Sequence, residues 1–280
     1  MTMKNFIPTI WSARLANHLD ANLSALAMVN TDYQGEIANM GDTVKINSFG
    51  NVTVSDYNGT LGTPETLTST QQTLTIDQAK AYNFIVDDIE EAQSNISIVD
   101  NATERAGVAM AEQLDKDLYE VMATGAGIKV GTAGAPIEVD KDNIYDTIVD
   151  LGVKLNEKNV SKANRRLVLP PFAIGLLVKD ARFTKNETVL ASGVVGRVGG
   201  FDIIESNNLK ATASYTAVVG GNSNATSFAN QVVKSESNRA TDSFGDIVRG
   251  LNVYGRKVVS ADELAVVYIK LKPAEEPVGA

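Results

Sequence analysis

The sequence predicts an α+β protein, and three observations carry that prediction. One long helical pattern, Asp100–Thr124, has apolar residues recurring on a single face. Before it, across residues 31–90, apolar and polar residues alternate as in strands. After it, shorter helical and strand patterns mix out to Leu271. With 280 residues and 44% hydrophobic content, the chain can bury a sizeable core, in two subdomains rather than one.

Composition removes several functional classes. Cys is absent, which excludes disulfides, thiol catalysis and zinc–thiolate sites. The one histidine, His18, leaves little scope for a multi-His metal centre or a Ser-His-Asp triad. A net charge of -9 and a pI near 4.8 argue against tight, nonspecific duplex binding. Such a surface would tolerate packed polyanion nearby without sticking to it. The N-terminus lacks the unbroken apolar stretch of a secretory signal, being interrupted at Asn5, Pro8, Ser12 and Arg14. Nowhere is there an apolar run long enough to span a membrane. The expectation is a soluble protein made in a cytoplasm.

In chain order, residues 1–30 read as an extended piece followed by an amphipathic helix. Trp11, Leu15, Leu19, Leu23 and Leu26 or Ala27 form its stripe. That stripe packs on its own domain or docks, as an arm, on another subunit; the single Trp is a residue type enriched as an interface anchor. Strands are expected at Asp42–Ser48, around Val52 and Val54, at Thr73–Asp77 and at Ala81–Asp87. Between them lies a long polar connection with an Asn58-Gly59 turn signal. The predicted picture is a two-stranded ribbon projecting from the body, which needs something to lie on.

The long helix carries Ala102, Ala106, Met110, Leu114, Leu118 and Val121 or Met122 on one face. Asp100 or Asn101 is its expected cap, with Glu104 completing a capping box, and Gly125 and Gly127 stop it. Asp115, Lys116 and Asp117 are assigned to its exposed side. A rod of roughly 35 Å results. Further helices are expected at Asp142–Lys158 and at Phe172–Lys179, with Pro171 near N1. Strands are expected at Arg166–Leu169, at Phe201–Glu205 and at Tyr215–Val219, the last closed by Gly220-Gly221. A short helix or loop then leads to β-rich segments at Gly250–Val259 and Glu263–Leu271.

The motifs yield little chemistry. Gly193, Gly196, Gly199 and Gly200 lack the spacing of a dinucleotide loop, and a strand rather than a helix follows them. Asp87, Asp88, Glu90 and Glu91 form an acidic cluster without a calcium-loop pattern, better read as a solvated helix start. Arg165-Arg166 and Arg182 with Lys185 are scattered basic pairs without interleaved aromatics. No catalytic, cofactor or metal residue is assigned.

Three stretches carry a resemblance: Phe6–Ile46, Arg165–Leu209 and Asp242–Leu271. In that order and spacing, the chain resembles the major capsid (coat) proteins of tailed bacteriophages with the Hong Kong 97-type fold. The resemblance implies an N-terminal arm over 1–40, an extended β-ribbon loop over 41–86, and a spine helix with the first part of a peripheral domain over 87–135. It places an axial domain over 136–240, and peripheral strands and a tail over 241–280. It implies that Phe6, Ile7, Trp11 and Leu15 of the arm contact a neighbouring subunit. Tyr57, Asn58, Gly59 and Leu61 of the loop would do the same, and Ala106, Met110, Leu114 and Leu118 would form the spine. Hexamers and pentamers would close into an icosahedral shell around phage DNA, with no enzymatic activity, no cofactor and no membrane. A separate scaffolding protein, a portal protein at one vertex and decoration proteins are the implied partners. The implied location is the virion, assembled in the host bacterial cytoplasm. The Lys-to-Asn crosslinks of some relatives find no residue-by-residue match. Two rivals stand beside this reading: an encapsulin-like compartment enclosing cargo, and a small α/β enzyme using the acidic cluster at Asp87–Glu91.

Overall fold

The computed structural model describes residues 23–33, 40–49, 54, 56, 59, 66, 69–87, 98–180, 182, 196–241 and 244–273. In chain order, a 3₁₀ turn at Ser24–Met28 precedes β1 (Thr43–Phe49), β2 (Ser69–Thr75), β3 (Gln78–Asp87) and helix α1 (Ile98–Gly125). Then come β4 (Ile128–Val130), β5 (Ile137–Val139), α2 (Ile144–Glu157), β6 (Arg165–Leu169) and α3 (Pro171–Lys179). The chain continues with β7 (Arg197–Val198), β8 (Phe201–Glu205), β9 (Thr216–Asn222), β10 (Thr226–Arg239), β11 (Gly245–Val258) and β12 (Leu264–Leu271). They make three sheets: β1-β2, β10-β11-β3, and a seven-stranded sheet ordered β4-β12-β9-β6-β8-β7 with β5 also on β12.

Helix α1 is the predicted rod, 28 residues and about 42 Å long. Met110, Ala111, Leu114, Asp115, Leu118, Tyr119, Met122 and Ala123 are buried, a stripe two residues wide at each turn. It packs on β3 and β11 of the three-stranded sheet and on β9 and β12 of the seven-stranded one, so it joins the two layers. The helix starts at Ile98, upstream of the expected caps. Asp100 and Asn101 therefore sit inside its first turn rather than at its cap. The sequence assignment of Asp115 to the exposed side is also corrected, since Asp115 is 1% exposed.

In the seven-stranded sheet the sequence patterns hold closely. Ile144, Ile148 and Leu151 of α2 line one apolar seam with Leu167 and Leu169 of β6, Val218 of β9, and Val267 and Ile269 of β12. The end of α2 depends on Arg165, which the sequence suggested was one of a scattered basic pair. Asn159 takes a left-handed φ of 57° and Val160 N–H bonds back to Leu155 O at 3.1 Å, closing the helix. Arg165, 2% exposed, donates to Ser161 O at 2.7 Å, Asn156 Oδ1 at 2.8 Å and Val160 O. The guanidinium thus ties the Val160–Ser161 loop that follows the helix to Asn156 in its last turn, satisfying carbonyls that no strand or helix partner reaches. Gly199 and Gly200, at φ 58° and 92°, form the tight turn between β7 and β8. Gly199-Gly200 is thus a hairpin corner, Gly196 precedes β7, and Gly193 lies outside the described residues. Gly220-Gly221 does not close β9, which runs on to Asn222; a Cβ on Gly221 would stand 2.3 Å from Glu263 O, so the glycine admits a backbone neighbour.

Residues 226–239 were expected as a helix or loop, yet they form the 14-residue β10, antiparallel to β11 from Thr226↔Val258 to Arg239↔Asp246. The polar composition of β10 hides a strand whose order comes from its partner. β3 lies on the other side of β11, Tyr254↔Gln78 to Gly245↔Asp87, rather than with β1 and β2. Sheet membership therefore cuts across the boundary expected at 240/241. β10 goes with β11, while β12 enters the seven-stranded sheet, because each strand is placed by the edge that pairs with it.

Candidate assembly interface

The ribbon is built from its root outward. β1 and β2 pair antiparallel over seven positions, Thr43↔Thr75 to Phe49↔Ser69, about 20 Å of strand. Alternation sends Val44, Ile46, Leu74 and Ile76 to one face, where they bury against Ala229 and Val253 of the three-stranded sheet. Lys45, Asn47, Gln71 and Thr73 face outward and are exposed. A backbone pair fixes the root, with Gly41 N–H to Ile76 O at 2.9 Å and Ile76 N–H to Asp42 O at 3.0 Å. Gly255 lets the ribbon come this close: a Cβ there would stand 2.4 Å from Thr75 O. Further along, Gln72 Nε2 donates to Val259 O at 2.8 Å. The ribbon thus leaves toward the C-terminal end of β11, away from the β10–β11 turn.

The root of the N-terminal segment is held by a carboxylate. Asp115 Oδ1 accepts from Ala25 N–H at 2.9 Å. Its Oδ2 accepts from Ser24 Oγ at 2.5 Å, Ser24 N–H at 3.2 Å and Asn208 Nδ2 at 3.2 Å. Ser24 Oγ also meets Tyr119 OH at 2.8 Å and Ser206 Oγ at 3.2 Å. Burial, then the Asp115 charge, push the Tyr119 hydroxyl well above its ordinary value, so it stays protonated. Leu23, Ala25, Met28 and Val29 are buried in the main core. Asn30 then bridges to β10 in parallel, donating to Thr226 O at 2.8 Å and accepting from Phe228 N–H at 2.9 Å. The expected α-helical stripe does not run through this stretch. Leu23 is extended and Ser24–Met28 is 3₁₀, because Asp115 claims the amides at the turn's start.

Two further polar ties organise the body. Tyr254 OH donates to Asp117 Oδ2, and Lys80 Nζ lies 3.6 Å from the same oxygen, joining β11 and β3 to α1. Burial and this bond raise the Tyr254 pKa. Arg182, just beyond α3, pairs with Asp180 at 2.9 Å and Asp146 at 2.6 Å, and stands 4.6 Å from the Tyr145 ring centre. The Arg182 hydrogen bond lowers the Asp180 pKa, and the two carboxylates raise that of Arg182.

Of the residues singled out from sequence, Phe6, Ile7, Trp11, Leu15 and His18 lie outside the described residues, as do Tyr57, Asn58 and Leu61. Gly59 is exposed with φ 102°. Val52 is also outside them, and Val54 is 92% exposed. Met110, Leu114 and Leu118 are buried in the chain's own core, and Ala106 is half-buried. Among the described ones, Met110, Leu114 and Leu118 share one core cluster. Sequence reasoning missed Ser24, Asp115 and Asn208; nothing local signals contacts so distant in the chain. Of the acidic cluster only Asp87 is described, at the end of β3. Among the described residues no group of three or more His, Asp or Glu side chains gathers for a metal, and no helix is long and apolar enough to cross a membrane.

No curated protein sequence matches the chain significantly. Several solved structures share its fold. One from Mycobacterium phage Che8 is 28% identical, with a TM-score of 0.71 over 86% of this chain and 89% of that one. The capsid of cyanophage P-SCSP1u is 18% identical, TM-score 0.67, over 88% and 87%. A virus-like particle from Pyrococcus furiosus is 13% identical, TM-score 0.60, over 93% and 99%. The fold is thus the Hong Kong 97-type capsid fold that the sequence resembled. A family model described as phage capsid protein matches residues 69–269, from β2 through the whole body to β12. On that match, the chain belongs to the phage capsid protein family.

Proposed function

We propose that copies of this chain assemble as hexamers and pentamers into the closed icosahedral head that encloses phage DNA, and that the chain catalyses no reaction. The observation that carries the reading is the ribbon, whose described part is seated on its own body by Val44, Ile46, Leu74 and Ile76 and by the Gln72 bond to Val259 O. A two-stranded ribbon is marginal by itself and needs a surface to lie on, and in this reading a neighbouring copy extends the one its own body offers. In this reading residues 41–86 include the element that overlies a neighbour, with Tyr57, Asn58, Gly59 and Leu61 near its apex. Residues 1–40 reach a second neighbour from the anchor at Asp115, using Phe6, Ile7, Trp11 and Leu15. Many modest contacts per copy then add by multivalency, so local assembly is reversible while the closed shell persists. A scaffolding protein, a portal and decoration proteins are the partners this reading expects, with assembly in the host cytoplasm. The family match supports a phage head over a cargo-enclosing compartment.

The test is assembly itself. Purified protein, with its scaffold, is expected to give closed shells by electron microscopy. A protein that stays monomeric at high concentration under every scaffolding condition would sink the reading. Removing residues 56–72 is expected to leave a folded body that assembles poorly.

A further inference from the structure

Between α1 and the three-stranded sheet, one side chain has nothing in the protein to bond to. Asn252 of β11 is 0% exposed, and neither its Oδ1 nor its Nδ2 has a hydrogen-bond partner among the described residues. Buried polar groups are paired almost throughout native proteins, with protein atoms or with ordered water. The strand pattern fixes which way Asn252 points. Val253, the next residue, packs with Ala229 under the ribbon. Alternation therefore turns Asn252 and Asn230 to the opposite face of the sheet. Tyr254 shares that face, and its hydroxyl donates to Asp117 of α1.

A second orphan lies beside the first. Asn230 pairs with Tyr254 and Val232 with Asn252, so the two asparagines are diagonal neighbours, roughly 7–8 Å apart along the backbone. Asn230 Oδ1 is buried and has no partner either, so the two carboxamides do not bond to each other. Next to them the β10–β11 register shifts between Val232 and Lys234, which interrupts the ladder. On the other side Lys80 of β3 stands directly opposite Asn252, with its Nζ 3.6 Å from Asp117. Whatever joins the asparagines must donate to carboxamide oxygens and accept from Nδ2. A metal cation meets only the oxygens and has Lys80 as a neighbour; a simple anion meets only the N–H groups. Water does both, and two to four polar partners are what a buried water requires. We propose that Asn252 and Asn230 hold an internal water between α1 and the three-stranded sheet. It donates to Asn230 Oδ1, bonds the Asn252 carboxamide, and makes this layer of the core a hydrated one.

A map of the full wild-type chain, sharp enough to show ordered waters, is the direct test. A water within about 3.2 Å of both the Asn252 carboxamide and Asn230 Oδ1 is expected. An Asn252 carboxamide bonded directly to a protein group, or packed with no water on it, overturns the proposal. Stability gives an independent reading. Asn252→Leu keeps the branching of the side chain but strands Asn230 Oδ1, so the melting temperature is expected to fall by roughly 2–6 °C. Adding Asn230→Ala removes the other end of the bridge, and the double variant is expected to lose less than the two single losses combined. A melting temperature that holds or rises in Asn252→Leu overturns the bridge, and so does a double variant whose losses simply add. Should Asn252→Leu fail to fold, the wild-type map decides alone.

Discussion

Replacing Asp115 by Ala should release the root of the N-terminal segment while leaving the body folded. The carboxylate accepts two backbone amides, Ser24 N–H at 3.2 Å and Ala25 N–H at 2.9 Å. Ser24 Oγ keeps Tyr119 and Ser206 as neighbours, so the amides are the main loss. Two donors left unpaired cost about 1–3 kcal/mol each. Asp115 has no ion-pair partner among the described residues, so removing its charge relieves a desolvation cost and brings the net loss to about 3 kcal/mol. If the segment opens locally, that loss raises amide exchange by roughly 100-fold. Hydrogen–deuterium exchange over residues 23–29 is the assay, with residues 144–155 of α2 as the internal reference. Asp115→Asn keeps one acceptor oxygen and should show about half the effect. Exchange at 23–29 within threefold of wild type in Asp115→Ala would refute the argument that this carboxylate holds the segment.

Gly255→Val places a side chain against Thr75 O and Ile76 and should lift the ribbon root, costing about 1–3 kcal/mol; thermal unfolding measures it, and an unchanged melting temperature would contradict the seating described. Arg165→Lys replaces a fork that reaches three acceptors with one ammonium, and denaturant unfolding should show a loss of about 1–2 kcal/mol. The folded-state pKa of Asp180 lies below its unfolded value, so its stabilisation is present above about pH 4 and disappears as pH falls through the folded pKa. Asp180→Asn should therefore be less stable than wild type at pH 7 and converge with it in strong acid; a difference independent of pH would exclude the Arg182 pairing as its source.

Much of the body was legible because its elements are local. α2, α3, β6 and β8 each show their period or their stop signal within a dozen residues, and the structure places them within two residues of the expected bounds. What was not legible depends on partners distant in sequence. β10 is a strand because β11 lies beside it, and its Ser, Asn and Lys residues gave no alternation to read. Asp115 reads as a solvent-facing acid, with Glu112, Gln113, Lys116 and Asp117 all within three residues of it. Its burial is decided by Ser24, 91 residues earlier. Arg165 likewise reads as surface charge until the end of α2 arrives to need a donor. The ribbon was visible as alternation on both sides of a polar connection, but its seat at Gly255 was not.

The position of β12 has a consequence for synthesis. This strand, Leu264–Leu271, runs parallel to β4 and β5 on one side and antiparallel to β9 on the other, in the interior of the largest sheet. A ribosome that has delivered everything up to Ser260 has produced the four-stranded β9-β6-β8-β7 sheet with an open β9 edge, while β4 and β5 still lack the strand they pair with. Only the final strand knits β4, made well over a hundred residues earlier, to β9. A polypeptide cut short before Leu264 therefore cannot complete its largest sheet, and the open strand edges it keeps favour aggregation. Synthesis through Leu271 is thus a condition for completing this sheet.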